Sequence, residues 1–259
     1  MSSPFPKILA LDFDGVVCDG LREYFASTKK AYQQIWSAEV SDDLAPSFYR
    51  LRPVIETGWE MPILLRALAS GISEADILAD FAQISQKIVQ AEGLEKQTVV
   101  NQLDGVRDKW IKSDLDGWLA LHRFYPGIIE QLGKIITSQV KLYIVTTKEG
   151  RFAQQLLQQQ GINLPVEQII GKESKRPKYE TLRIIRDQHQ QPGLQLELTF
   201  VEDRLKALQQ VDQQQDLQFV KLFLADWGYN LESDRLVAAQ DARINLLSLE
   251  NWQQNLPII

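Results

Sequence analysis

Apolar residues fall in two rhythms along this chain. Near the start, Ile8-Leu9-Ala10-Leu11 is a short continuous run cut off by Asp12-Phe13-Asp14-Gly15. A run of about four to eight apolar residues closed by a turn signal reads as a strand buried on both faces. From about Leu21 to His122 the spacing becomes helical with charged faces. It predicts helices near Leu21–Ser37, Glu60–Ser70, Glu74–Ala91, Lys96–Ile111 and Asp114–Leu121, with Ser73 and Ser113 as N-caps. From Pro126-Gly127 onward, apolar runs alternate with amphipathic helices, and strands are expected at Lys141–Val145, Val166–Ile170, Leu196–Val201, Phe219–Leu224 and Ile244–Leu247. Such alternation implies a parallel sheet covered by helices on both faces, with ligands at the carboxyl ends of the strands. The expected fold class is therefore α/β, a doubly wound, Rossmann-like parallel sheet plus a second, all-helical domain. Residues 1–19 and 124–259 would form the α/β core, and residues 20–123 the helical insert.

Bulk numbers narrow the function classes. A length of 259 residues suits one large domain or two smaller ones, and 44% hydrophobic with 24% charged residues is ordinary for a chain that buries a sizeable core. The net charge of -6 argues against a nucleic-acid partner, which draws on clustered cations. Cys18 is the single cysteine, so no intrachain disulfide and no Cys-built zinc site can form, and a reducing cytoplasm fits. The start, Met1-Ser2-Ser3-Pro4-Phe5-Pro6-Lys7, has no signal-peptide pattern, and no apolar run approaches about 18 residues, so no membrane partner is expected. A homo-oligomer remains open.

The candidate chemistry sits at the strand ends. Asp12 and Asp14 would share one side of the first strand; two close carboxylates repel, so one stays protonated or a cation sits between them. Taken alone, Asp14-Gly15 also reads as a simple turn. After the second strand, Thr146-Thr147-Lys148 leads into Glu149-Gly150 and a helix, offering a hydroxyl and helix-opening N–H groups to an anion, or a plain N-cap. After Leu196–Val201, the pair Glu202-Asp203 resembles half of a hard-cation site. Asp12 and Asp203, with the Asp14 carbonyl, could supply magnesium's oxygens. The basic run Lys172 to Lys178 is either a solvated face or the source of a lysine that neutralises Asp12 and holds a phosphoryl oxygen.

In this order, D-x-D-G, strand-Thr, Lys and strand-Glu-Asp, the chain resembles the haloacid dehalogenase-like hydrolase superfamily along its whole core. The resemblance implies that Asp12 is the nucleophile forming an aspartyl-phosphate, and that Asp14 protonates the leaving alcohol and later activates water. Thr146 and a lysine would hold the phosphoryl group, and Mg2+ would sit among Asp12, Asp14, Glu202 and Asp203. Gly15 and Thr147 would lie against substrate. The lysine departs from the common K-P-x-P form; Lys178-Tyr179-Glu180-Thr181-Leu182 resembles the alternative K-x-x-x-L form, so Lys178 is chosen, with Lys175 second. The helical insert resembles the family's cap between its first and second motifs. Within the insert, the dense loop Tyr49 to Glu60 nominates Arg52, Glu56 and Trp59 as substrate contacts, or as internal braces of the cap.

The expected activity is a magnesium-dependent phosphatase acting on a small phosphorylated metabolite. A phosphosugar mutase would use the same aspartyl-phosphate. A phospho-aspartate signalling receiver also uses an acidic pair, Thr and Lys, but would not need an insert of about 100 residues. A catalytically idle binding protein is disfavoured because every motif position holds a usable side chain.

Overall fold

Six parallel strands build the sheet: β1 (Lys7–Leu11), β4 (Lys141–Val145), β5 (Ile169–Ile170), β6 (Glu197–Glu202), β7 (Lys221–Ala225) and β8 (Ile244–Leu247), in the order β5-β4-β1-β6-β7-β8. The structure is a computed structural model that describes residues 7–193 and 195–254. Expectations that fall on residues 1–6 and 255–259 lie outside the described residues. The chain divides into two compact units, residues 7–19 with 124–254 and residues 20–123. The short strands β2 (Cys18–Asp19) and β3 (Arg123–Phe124) mark where the chain leaves and re-enters the first unit.

In the first unit, the sheet is flanked by helices α7 (Ile128–Ile136), α8 (Gly150–Gln159), α9 (Lys178–His189), α10 (Leu205–Asp212), α11 (Glu232–Gln240) and α12 (Leu249–Gln254). Side chains alternate across a strand. Ile8, Ala10, Tyr143, Val145, Leu198, Phe200, Leu222 and Leu224 pack with Leu182, Ile185, Leu205 and Leu208 from α9 and α10. The intervening residues Leu9, Leu11, Leu142, Ile144 and Val201 are buried as well, and so belong to the opposite face. That double burial is why these strands read as unbroken apolar runs rather than alternating ones. At roughly 25 cal/mol per Å² of apolar surface, burying one such Leu or Ile contributes about 2 kcal/mol.

The second unit is helical: α1 (Leu21–Trp36), α2 (Ala45–Leu51), α3 (Glu60–Ala69), α4 (Glu74–Ala91), α5 (Lys96–Ser113) and α6 (Leu115–Leu119). Its apolar interior includes Phe25, Phe48, Ile63, Leu64, Ile77 and Leu103, with the Phe25 and Phe48 rings edge-to-face at 5.5 Å. At its centre lies one carboxylate: Glu23 accepts from Arg107 Nε at 2.8 Å, Arg107 Nη2 at 3.0 Å, Trp118 Nε1 at 3.1 Å and Ser27 Oγ at 2.5 Å. A buried charge is tolerated only when paired and hydrogen-bonded, and this one ties α1, α5 and α6 together.

Several elements differ from the sequence reading. Residues 166–168 form a 3₁₀ turn and only Ile169–Ile170 pairs as strand, because Val166 is exposed and its apolar side chain faces solvent. Phe219 is also outside its predicted strand, which begins at Lys221. Helix α2 was hidden by the aromatic and Pro content of Ala45–Leu51. The N-cap of α6 is Asp114, which accepts from Gly117 N–H at 2.9 Å, whereas Ser113 Oγ donates back to the Trp110 carbonyl. Ser73 does cap α4, accepting from Asp76 N–H at 3.1 Å. Helix α4 is broken at Asp80 (φ -159°, ψ 73°), whose Oδ1 caps the following turn at Gln83 N–H. No described helix is long and apolar enough to cross a membrane.

Candidate active site

Strand β1 lies at the centre of the sheet, with β4 on one side and β6 on the other. Leu11 is in register with Ile144 and with Val201. The direction of winding reverses at β1, and at such a switch point the crevice beyond the strand ends is where ligands bind. The residue after Leu11 is Asp12, held in line by its N–H to the Val201 carbonyl at 2.9 Å. The next residues along β6 are Glu202 and Asp203, and the residue after β4 is Thr146. Register alone therefore brings three of the four segments to one edge of the sheet.

The fourth segment enters through helix α9. Pro177 is its N-cap, in extended conformation, so the helix starts at Lys178. Lys178 Nζ lies 2.8 Å from Asp12 Oδ1 and 2.5 Å from Glu202 Oε2. Lys175 instead occupies a left-handed turn (φ 52°) and makes no such contact; it is exposed. Asp12 Oδ1 is buried, and its contact with the ammonium has the distance of an ion pair without the alignment of a hydrogen bond.

Asp12, Glu202 and Asp203 are all buried, and one oxygen of each lies within 4.8 Å of the others. Burial pushes the Asp12 carboxyl up to about 7, the Glu202 charge adding to it and Lys178 opposing. Glu202 is likewise raised to about 7 by burial, against the pull of Lys178, and Asp203 is raised by burial and by Asp12. Burial would lower Lys178, but the charges of Asp12 and Glu202 outweigh it and hold the ammonium above the ordinary lysine range. The cluster is short of positive charge. Three hard oxygen donors around one point suit a hard divalent cation. Their occupancies differ: Glu202 Oε2 faces Lys178 and its Oε1 accepts from Arg204 N–H at 3.1 Å, while Asp203 Oδ2 accepts from Tyr229 N–H at 2.7 Å. The Asp14 side chain is outside this trio, so its share in holding a cation would fall to its carbonyl.

Close packing fixes Asp203. Gly15 has φ +92°, and a Cβ there would fall on the Asp203 carboxylate; a Cβ at Gly228 would strike the Asp203 side chain and the Gly15 carbonyl. Asn230 Nδ2 donates to the Asp203 carbonyl at 3.1 Å. The 226–230 loop had no signal in the sequence reading, though the Gly228 backbone is what lets it approach so closely.

The Asp14 side chain faces Lys148, whose Nζ is 3.2 Å from Oδ1 and 3.4 Å from Oδ2. Each carboxylate of the first segment thus has its own lysine. Thr146 is buried, and its hydroxyl oxygen accepts from Lys148 N–H at 3.1 Å, leaving its own proton to donate. Thr147 is exposed and, with Thr146, Lys178 and Arg176, lines a cavity of about 200 Å³. The Gly150 N–H, read from sequence as open to an anion, is already taken by the Glu173 carboxylate at 3.1 Å.

Arg52, Glu56 and Trp59 belong to the helical unit. Arg52 donates to the Ile55 carbonyl at 3.1 Å and its guanidinium stands 5.1 Å from the Tyr24 ring; Glu56 N–H donates to Glu60 Oε2 at 2.7 Å; the Lys96 ammonium lies 4.9 Å from the Trp59 ring. These contacts brace the helical unit from within. Cys18 is buried.

A family model described as haloacid dehalogenase-like hydrolase matches residues 67–224, more than half of the chain. The match starts inside the helical unit, so the Asp12 segment lies outside it. Solved structures of similar fold include a haloacid dehalogenase-like family hydrolase from Streptococcus pneumoniae (14% identity, 93% of each chain covered, TM-score 0.56). A predicted phosphatase from Clostridium acetobutylicum is 13% identical over 99% of this chain and 100% of that one, with TM-score 0.57. A predicted phosphoglycolate phosphatase from Haemophilus somnus is 15% identical over 90% of each chain, with TM-score 0.57. At these identities the likeness is one of fold. Among curated proteins, none matches the chain by sequence.

Proposed function

The chain belongs to the haloacid dehalogenase-like hydrolase family, and from that premise we propose that it is a phosphoric monoester hydrolase acting on a small phosphorylated metabolite. One observation carries the reading: Asp12, Thr146, Lys178, Glu202 and Asp203 converge at the ends of three adjacent strands and the start of one helix, with Asp14 beside them. Solved relatives named as phosphatases support it.

In the proposed reaction, an Asp12 oxygen attacks phosphorus and the bond from phosphorus to the alcohol oxygen breaks, while Asp14 gives that oxygen a proton. Water then attacks the phosphorus of the aspartyl-phosphate, Asp14 takes a proton from the water, and the bond to Asp12 breaks, releasing phosphate. Covalent catalysis divides one hard displacement into two, and proton transfer of this kind is worth about 10²–10⁴ in rate. The Thr146 hydroxyl and the Lys178 ammonium are suited to hold phosphoryl oxygens, Lys178 also neutralising Asp12. Mg2+, which the Asp12, Glu202 and Asp203 donor set fits, would supply charge neutralisation of the phosphoryl group and of the carboxylates. The helical unit would be a lid that excludes water and selects substrate, with Arg52, Glu56 and Trp59 as its contacts. We place the enzyme in the reducing cytoplasm, which suits a chain whose single cysteine, Cys18, is buried.

The test is phosphate release across a panel of sugar phosphates, nucleotides and phosphoglycolate, with and without Mg2+. Magnesium-dependent release from at least one member is expected; inertness towards all would overturn the reading. Product analysis separates hydrolysis, which yields free phosphate, from a mutase reaction, which yields an isomerised phosphosugar.

A further inference from the structure

Lys148, the partner of Asp14, has no part in the reaction as written. Its distances, 3.2 and 3.4 Å, place one ammonium across both oxygens of the carboxylate. Neither side chain is loosely solvated, at 9% exposure for Lys148 and 17% for Asp14. The backbone of residue 148 is pinned on both sides. Its N–H donates to the Thr146 hydroxyl, and its carbonyl accepts from Lys172 N–H at 2.9 Å. Gly171 makes that second bond possible, since a Cβ there would press on the Lys148 carbonyl and on Gly150 N. The Glu173 carboxylate then caps Gly150, and Lys172 Nζ pairs with Glu149 at 3.1 Å. The loops after β4 and β5 are thus stitched together, and Lys148 projects from the seam.

From this geometry we propose that Lys148 is a positioning residue that fixes the Asp14 carboxyl for proton transfer. The inference rests on the reading of Asp14 as the acid and base of a phosphomonoesterase. A lone Asp side chain on a turn has rotamers to choose among, and an ammonium spanning both oxygens selects one. Placement matters steeply here: a misplacement of about 1 Å can reduce rate about 100-fold. Lys148 thereby links the Thr146 hydroxyl, through its backbone N–H, to the Asp14 carboxylate, through its ammonium, the two groups to which the proposed reaction gives the phosphoryl oxygens and the leaving oxygen.

Two esters with different leaving groups test it. An alkyl phosphate needs a proton on its departing oxygen, whereas p-nitrophenyl phosphate releases a stabilised phenolate without one. With K148M, kcat for the alkyl ester is expected to fall about 100-fold with KM little changed. The first-turnover burst of p-nitrophenol should stay near that of the unaltered enzyme. K148R, which keeps a cation at that position, should recover most of the alkyl-ester rate, and D14N should reproduce the leaving-group dependence of K148M. Equal losses on both esters would mark Lys148 as merely structural, and a raised KM with unchanged kcat would make it a substrate-binding group; either overturns the proposal. If the unaltered enzyme cleaves both esters and K148M matches it, this inference alone fails. If the unaltered enzyme cleaves neither, the phosphomonoesterase reading fails as well.

Discussion

Asp12 and Glu202 share Lys178, and the consequence of removing any one of the three is asymmetric. Loss of Lys178 leaves two buried carboxylates facing each other; breaking a buried pair in this way costs about 3–5 kcal/mol. Lys178→Met should therefore lower both stability and phosphate release, measured by denaturant unfolding and by turnover, and a variant unchanged in both would remove Lys178 from the site. Gly15→Ala is a subtler probe. At φ +92°, with the Asp203 carboxylate in the way, an alanine should cost about 1–3 kcal/mol and weaken Mg2+ binding, read by calorimetry. A residue far from the site supplies a pH test. Burial and Lys141 hold His189 below its ordinary value, and its Nε2 lies 2.7 Å from the Tyr143 hydroxyl. A lowered folded-state value means stability present above about pH 6.5 and lost as the pH falls below it. His189→Gln should flatten that decline in thermal melts, and a decline of the same size would assign it elsewhere. At this scale the sequence revealed residue types better than partners. Lys178 and Lys175 look alike in a basic run; what separates them is Pro177, which starts a helix at one and leaves the other in a left-handed turn. Lys148 gave no signal, because a lysine after Thr-Thr reads as a solvated helix start.

Elements were legible where burial was uniform. Strands β1, β4 and β6 are covered on both faces, and their apolar runs end within a residue of where the ladder does. Where a run is only partly covered, pattern misleads: Val166 and Phe219 are hydrophobic, exposed and outside the sheet. The break at Asp80 was illegible because the apolar spacing continues through it; only the local cap onto Gln83 gives it away. In the helical unit, the organising feature is a charge. Glu23→Ala would strand Arg107 without its partner and should destabilise by about 3–5 kcal/mol. Ser73→Ala, the loss of one exposed cap, should cost about 1 kcal/mol. Unfolding midpoints of the two variants compare them directly, and equal effects would mean that the Glu23 cluster contributes no more than a surface cap.

For the molecule as a whole, the winding of the chain sets the site. Starting at the sheet's centre and returning on either side of it, the chain places segments distant in sequence at adjacent strand ends. The alternation of runs and helices made that arrangement readable, and the order of the motifs then pointed to a family that the family model bears out. Substrate selection was not readable, since the residues nominated for it, Arg52, Glu56 and Trp59, make contacts within the helical unit. The proposed Mg2+ would bind only the folded arrangement of Asp12, Glu202 and Asp203, so at 100 times its dissociation constant it should add about 2.7 kcal/mol of stability, seen as a rise in Tm that EDTA reverses. Asp203→Asn should abolish that rise; a rise that persists would place the cation elsewhere. The covalent step at Asp12 is the centre of the proposed chemistry. Acid quenching during turnover, followed by peptide mass mapping, should find a phosphoryl group on the peptide bearing Asp12 and none in Asp12→Asn, which should release no phosphate. Phosphate release at near-normal rate by Asp12→Asn, or a phosphoryl group trapped on another residue, would contradict it.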